Sequence, residues 1–141
     1  MSRRSWIDID GAPIEYELVI GDPGRPALVF LHEGLGSIDL WRGVPDEAAA
    51  AAGGRTVLTY ARHGYGASGP ASMPRPVGYM HHEADVVLAE LLSTLGLERP
   101  LLVGHSDGAS IALLYSGAGH EVAGLVCLAP HVFVEPESIA G

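Results

Sequence analysis

The chemistry in this chain is concentrated in Leu101-Leu102-Val103-Gly104-His105-Ser106-Asp107-Gly108-Ala109-Ser110. A short apolar run enters Gly-x-Ser-x-Gly, and a helical pattern follows. Glycines on either side of a serine let a strand turn sharply into a helix without Cβ clashes, leaving the hydroxyl exposed at the apex. Ser106 is therefore a candidate nucleophile at the positive end of a helix. The backbone N–H of Asp107 is then aimed at a developing oxyanion. The same letters also suit an N-cap serine flanked by turn glycines, but the strand–turn–helix order favours the nucleophile.

A second segment, His32-Glu33-Gly34-Leu35-Gly36, leaves the end of another apolar run. A glycine-rich loop there can bring a second N–H to the same oxyanion. Gly34 is the expected donor, with Leu35 as the alternative, and His32 is expected to order the loop by hydrogen bonds and to transfer no proton. Glu33 and Asp107 are candidate substrate contacts. A carboxylate at position 107 could hold a substrate ammonium near the scissile carbonyl, or simply favour the positive end of its helix.

Seven histidines offer acid/base chemistry: His32, His63, His81, His82, His105, His120 and His131. His105 adjoins Ser106, yet neighbours at a sharp turn point apart, so it is expected to pack the elbow. His81 and His82 open a long helix and are expected in solvent. His131 and Glu135 follow the last apolar run and are the local acid/base candidates; the plainer alternative is a connecting segment. Gly64-Tyr65-Gly66-Ala67-Ser68-Gly69 matches a dinucleotide fingerprint, but Pro70, Pro74 and Pro76 follow, so no helix N-terminus would receive a pyrophosphate. His82-Glu83 lacks a second histidine at metalloprotease spacing, so no metal site is expected.

The elements that must position these residues are legible in the pattern. Ser5 to Gly11 and Pro13 to Ile20 read as a hairpin turning at Asp10-Gly11. Ala27 to Leu31 and Thr56 to Tyr60 are short continuous apolar runs, suited to strands buried on both faces. The alanine run Ala48 to Ala52 ends a helix before Gly53-Gly54. Arg62 to Pro76 reads as a loop. Val77 to Leu95 is the clearest amphipathic helix, with Met80, Ala84, Val87, Leu88, Leu91, Leu92 and Leu95 near one stripe. Leu101 to Val103 is a strand, Ser106 to Ala118 a helix and Val122 to Leu128 a strand, while Pro130 to Gly141 shows no pattern. Strands alternating with helices predict an α/β fold, a mostly parallel sheet with helices on both faces.

Composition removes other classes. The chain has 141 residues, 48% of them hydrophobic and 18% charged, which suits one folded domain rather than a disordered chain. Eight basic against 17 acidic residues give a net charge of −9, which disfavours nucleic acid and an anionic membrane surface as partners. The single cysteine, Cys127, supports neither a disulfide framework nor a thiolate zinc cluster. No run reaches the roughly 20 apolar residues of a membrane span, and the first residues do not read as a secretory signal, so a cytoplasmic location is expected.

Three segments, Leu28-Val29-Phe30-Leu31-His32, Arg62-His63-Gly64-Tyr65-Gly66-Ala67-Ser68 and Gly104-His105-Ser106-Asp107-Gly108, together resemble the α/β-hydrolase superfamily in its own order, over almost the whole chain. The family usually has Gly where this chain has Glu33, an acidic residue where it has Ala61, and often a Gly where it has Ala109. The Ser106-Asp107 pair and His131-Val132-Phe133-Val134-Glu135 resemble the valacyclovirase-type branch. The resemblance implies that residues 1–141 are the N-terminal part of a hydrolase core, with about six of the family's eight strands, the cap and C-terminal strands missing, and the triad order Ser…Asp/Glu…His cut after its first member. It implies a serine hydrolase of carboxylic esters, thioesters or lactones, working through an acyl-enzyme on Ser106 on a small-molecule ester, without a cofactor, and inactive as the isolated fragment. The alternative is a non-catalytic module that binds a ligand or partner. The apolar run Val122 to Leu128 carries no charge and is expected to leave a sheet edge for a homo-oligomer or the missing half.

Overall fold

A computed structural model of the chain describes residues 3–34, 36–71 and 78–129. Its strands form one six-stranded sheet in the order β1-β2-β4-β3-β5-β6, where β1 is Arg4–Ile9, β2 Ala12–Val19, β3 Leu28–Leu31, β4 Val57–Tyr60, β5 Leu101–His105 and β6 Gly124–Leu128. β1 pairs antiparallel with β2, and β2 with β4; the pairs β4/β3, β3/β5 and β5/β6 are parallel. The hairpin turns at Asp10 and Gly11, both at positive φ (52° and 85°), as the pattern predicted.

All four residues of β3 and all four of β4 are buried. Alternation then sends side chains to two separate cores. Val29, Leu31, Leu58 and Leu102 join Val87, Leu88, Leu91, Ile111 and Tyr115 on one face, whereas Leu28, Phe30 and Val57 meet Ala49 and Trp41 on the other. The first face is covered by α4 (Asp107–Gly117) and by a helix of three consecutive pieces: α2 (Tyr79–His82), a π-helical stretch (Glu83–Leu88) and α3 (Ala89–Leu95). The second face is covered by α1 (Val44–Ala51) and a 3-10 turn at Asp39–Trp41. Helices therefore lie on both faces of the sheet.

The coverage thins toward β6. Leu125 packs into the first core, but Val126 and Leu128 on the opposite side are 44% and 48% exposed. The sequence reading started this strand at Val122; in the structure it starts at Gly124, after Ala123 N–H donates to Pro100 O at 2.8 Å. The π-helical stretch is a second departure. A 3.6-residue period leaves Glu83 off the apolar stripe, yet the wider turn buries it to 3% exposure, next to Ala84. None of the described helices is long and apolar enough to cross a membrane.

Candidate active site

The elbow is built by backbone constraint. Ser106 lies between the end of β5 and the start of α4 with φ 56° and ψ −113°, a conformation that costs a non-glycine residue roughly 1–3 kcal/mol. The surrounding contacts enforce it. Ser106 N–H donates to Leu128 O at 2.8 Å, tying the elbow to β6, and Ser110 N–H donates to Ser106 O at 3.1 Å, closing the first turn of α4. A Cβ on Gly104 would stand 2.6 Å from the Cα of Ala109, and one on Gly108 would stand 2.6 Å from the carbonyl carbon of Leu31 and 2.7 Å from the oxygen of His32. Only glycine lets α4 press this closely on β5 and on the end of β3.

That approach brings the two predicted segments together. The Asp107 carboxylate faces Gly34 so closely that a Cβ on Gly34 would lie 2.7 Å from its Oδ2. Asp107 is also the first residue of α4, where an N–H has no intrahelical acceptor. The residues chosen as oxyanion donors, Gly34 and Asp107, are thus neighbours between the end of β3 and the start of α4. Leu35, the alternative donor, lies outside the described residues, as do His131 and Glu135.

His32 is 2% exposed and fully engaged. Its Nδ1 lies 2.6 Å from Glu33 O, and its Nε2 accepts the Arg62 N–H at 3.0 Å, which assigns the proton to Nδ1. Burial first, and the Arg62 charge second, hold its pKa down at about 3. A ring with both nitrogens committed and no tendency to protonate is a structural tie, as the sequence reading held.

Arg62 was quoted only as part of a motif, and its role was missed. It is fully buried. Its Nη1 donates to His32 O at 2.6 Å, Nη2 to Glu33 O at 3.2 Å and Nε to the Tyr79 hydroxyl at 3.0 Å, and its guanidinium stands 5.3 Å from the Tyr65 ring centroid. The Tyr65 ring meets His32 edge-on at 4.9 Å. The available signal was a charged residue two positions after a buried strand, where a side chain must either snorkel out or bring its own acceptors.

His105 requires a correction. It does not pack the elbow; its ring is 40% exposed, and Nδ1 lies 3.7 Å from Glu33 Oε2. The two line a cavity of about 30 Å³ with His32, Gly36, Ser37, Leu40 and Trp41. A strand residue before the turn points to the opposite face from its successor, which here is the open side over the loop. His63, His120 and His82 are engaged elsewhere, while His81 is exposed. His63 Nε2 lies 3.0 Å from Ala12 O, and His120 stacks on Tyr115 and lies 3.0 Å from Asp85. His82, expected simply in solvent, is exposed but lies 2.6 Å from Asp10 Oδ2. A larger depression of about 530 Å³ runs past Asp10, Ala12, His63, Tyr79, His82 and Glu83, and touches neither the elbow nor the 32–34 loop. Among the described residues no cluster of three or more His, Cys, Asp or Glu side chains could hold a metal.

A parallel-centred sheet with a sharp serine-bearing turn between strand and helix is an architecture shared by many hydrolases. The chain belongs to the alpha/beta hydrolase fold family, whose profile matches residues 26–140. It is 35% identical over 113 residues to the sn-1-specific diacylglycerol lipase ABHD11 of Mus musculus, a match covering 80% of this chain and 35% of that protein. The chain thus spans about a third of the length of this curated relative. Among solved structures, a predicted CIB-like hydrolase from Thermoplasma acidophilum superposes with a TM-score of 0.77 at 20% identity, covering 90% of this chain and 62% of that one. A hydrolase from Pseudomonas aeruginosa PA01 gives a TM-score of 0.76 at 23% identity, covering 98% and 50%. These two likenesses concern the fold.

Proposed function

We propose that this chain carries the nucleophile and oxyanion hole of a serine hydrolase acting on a carboxylic ester, thioester or lactone. The observation that carries the reading is Ser106 at φ 56°, held in a costly conformation at the start of α4 beside the glycine loop. In the proposed reaction the Ser106 Oγ attacks the substrate carbonyl carbon while its proton passes to a histidine base. The carbonyl oxygen becomes an oxyanion between the N–H groups of Asp107 and Gly34, each donor lowering the barrier by about 3 kcal/mol. Collapse expels the leaving alcohol, which takes the proton from the imidazolium, and leaves an acyl-serine that water then hydrolyses by the same steps.

The base and its acid are proposed to come from sequence beyond this chain, in keeping with the third of the curated relative's length that the match covers. His131 and Glu135 are the local substitutes to mutate first should the 141-residue chain alone turn over a nitrophenyl ester. The expected result is negligible turnover by the chain alone. The relative's name points to a lipid ester, and the valacyclovirase-type resemblance to an amino-acid ester. The test is a fluorophosphonate probe on a longer form of the protein that supplies the base and its acid. Labelling that disappears in Ser106→Ala supports the reading. A folded longer form that takes no label contradicts it and favours a non-catalytic binding module.

A further inference from the structure

We infer that Arg62 is a positioning residue that fixes the oxyanion loop from below, and that Tyr79 transmits the packing of the helix beginning at α2 to that loop. The inference rests on the reading of Ser106 and Gly34 given above. The loop after β3 carries a backbone turn bond, Gly36 N–H donating to Glu33 O at 3.0 Å, and the remaining bonds that set the direction of the Gly34 N–H come from side chains. The two peptide units before it, those carrying His32 O and Glu33 O, are both held by one guanidinium, through Nη1 at 2.6 Å and Nη2 at 3.2 Å. The second of these is the peptide unit whose N–H belongs to Gly34, so fixing Glu33 O fixes the plane and direction of the proposed oxyanion donor. The same carbonyl also lies 2.6 Å from His32 Nδ1, and His32 Nε2 is in turn held by Arg62 N–H. One residue therefore grips the loop through its backbone and through both ends of its side-chain fork.

The guanidinium is itself fixed. Its Nε donates to the Tyr79 hydroxyl at 3.0 Å, and Tyr79 is the first residue of α2, immediately ahead of the π-helical stretch. Tyr65 packs on both partners, with its ring 5.3 Å from the Arg62 guanidinium carbon and 4.9 Å from the His32 ring. From the other side, the Asp107 carboxylate closes on Gly34. A planar fork that meets two carbonyls is a geometry lysine lacks, because an ammonium is a point donor on a flexible stem.

Two readouts test this with Arg62→Lys and Tyr79→Phe, the first on the 141-residue chain and the second on a longer form that supplies the base. The first is amide hydrogen exchange of Gly36, whose N–H donates to the same Glu33 O at 3.0 Å. Releasing that carbonyl from the fork should speed this exchange about tenfold, while amides of β3 and β4 keep their wild-type rates. The second is the rate of Ser106 phosphonylation against fluorophosphonate concentration. The saturating rate should fall about tenfold in both variants with the half-saturation concentration unchanged, since the donor acts on the developing oxyanion and not on probe binding. Unchanged loop exchange in Tyr79→Phe, or a fall carried only by half-saturation, overturns the inference. If Arg62→Lys fails to fold, Tyr79→Phe, which keeps the ring, decides alone. If the wild type takes no label, the nucleophile reading fails and the catalytic meaning of the lock fails with it; faster loop exchange in the variants would then show a structural tie only.

Discussion

Acidification should destabilise this fold through one buried ring. His32 is neutral in the folded chain, its pKa held at about 3 by burial and by the nearby Arg62 charge. In the unfolded chain it returns to about 6.5. Between those values the unfolded state binds a proton that the folded state refuses, so stability rises with pH across this window and falls on acidification. Each unit is worth about 1.4 kcal/mol, which amounts to about 2 kcal/mol lost at pH 5 and about 5 kcal/mol below pH 3. Carboxylates also titrate in this range, so the effect is read as a difference. Urea unfolding of wild type and His32→Gln is compared at pH 7 and pH 5, with the denaturant slopes checked for equality. Glutamine can donate to Glu33 O and accept from Arg62 N–H without charging. Whatever the substitution costs at pH 7, the gap should move by about 2 kcal/mol in the variant's favour at pH 5. Identical pH dependence in the two proteins would refute the argument and show that His32 protonates in the folded state.

Gly108→Ala should cost about 3 kcal/mol and roughly 10 °C of melting temperature, because its Cβ meets the Leu31 backbone, whereas Gly117→Ala, with open space around it, should cost nothing; thermal melts decide this. β6 is proposed to associate with a second copy or with the rest of a longer protein, through a strand whose Val126 and Leu128 are exposed; sedimentation should show self-association that Val126→Lys suppresses, and a stable monomer at high concentration would count against it. Should Asp107 select a substrate ammonium, a longer active form should prefer glycine or valine esters over their N-acetyl counterparts, and Asp107→Asn should narrow that preference about fivefold. A preference that is absent, or survives the substitution, leaves only the helix-end role.

The sheet was legible because its strands are short and extreme in composition. Leu28–Leu31 and Val57–Tyr60 are buried on both faces and read as unbroken apolar runs. The elbow was legible because close backbone approach demands glycine at 104 and 108. What sequence could not show was which polar side chain turns inward. Arg62 and Glu83 are both buried, and an interior charge leaves no periodic signature, because tertiary partners decide its burial. The π-helical stretch escaped for a related reason: one extra residue in a turn shifts the buried face locally while the stripe around it keeps its period. His105 was misplaced because its direction depends on the strand's face, which only the assembled loop after β3 reveals.

The central claim joins one nucleophile to two backbone donors, and a crystal structure of the fluorophosphonate adduct tests all three together. The account predicts phosphorus bonded to the Ser106 Oγ, with one phosphonyl oxygen about 2.7–3.1 Å from the N–H groups of both Asp107 and Gly34. Phosphorus on another side chain, or a phosphonyl oxygen turned away from both N–H groups, would contradict it.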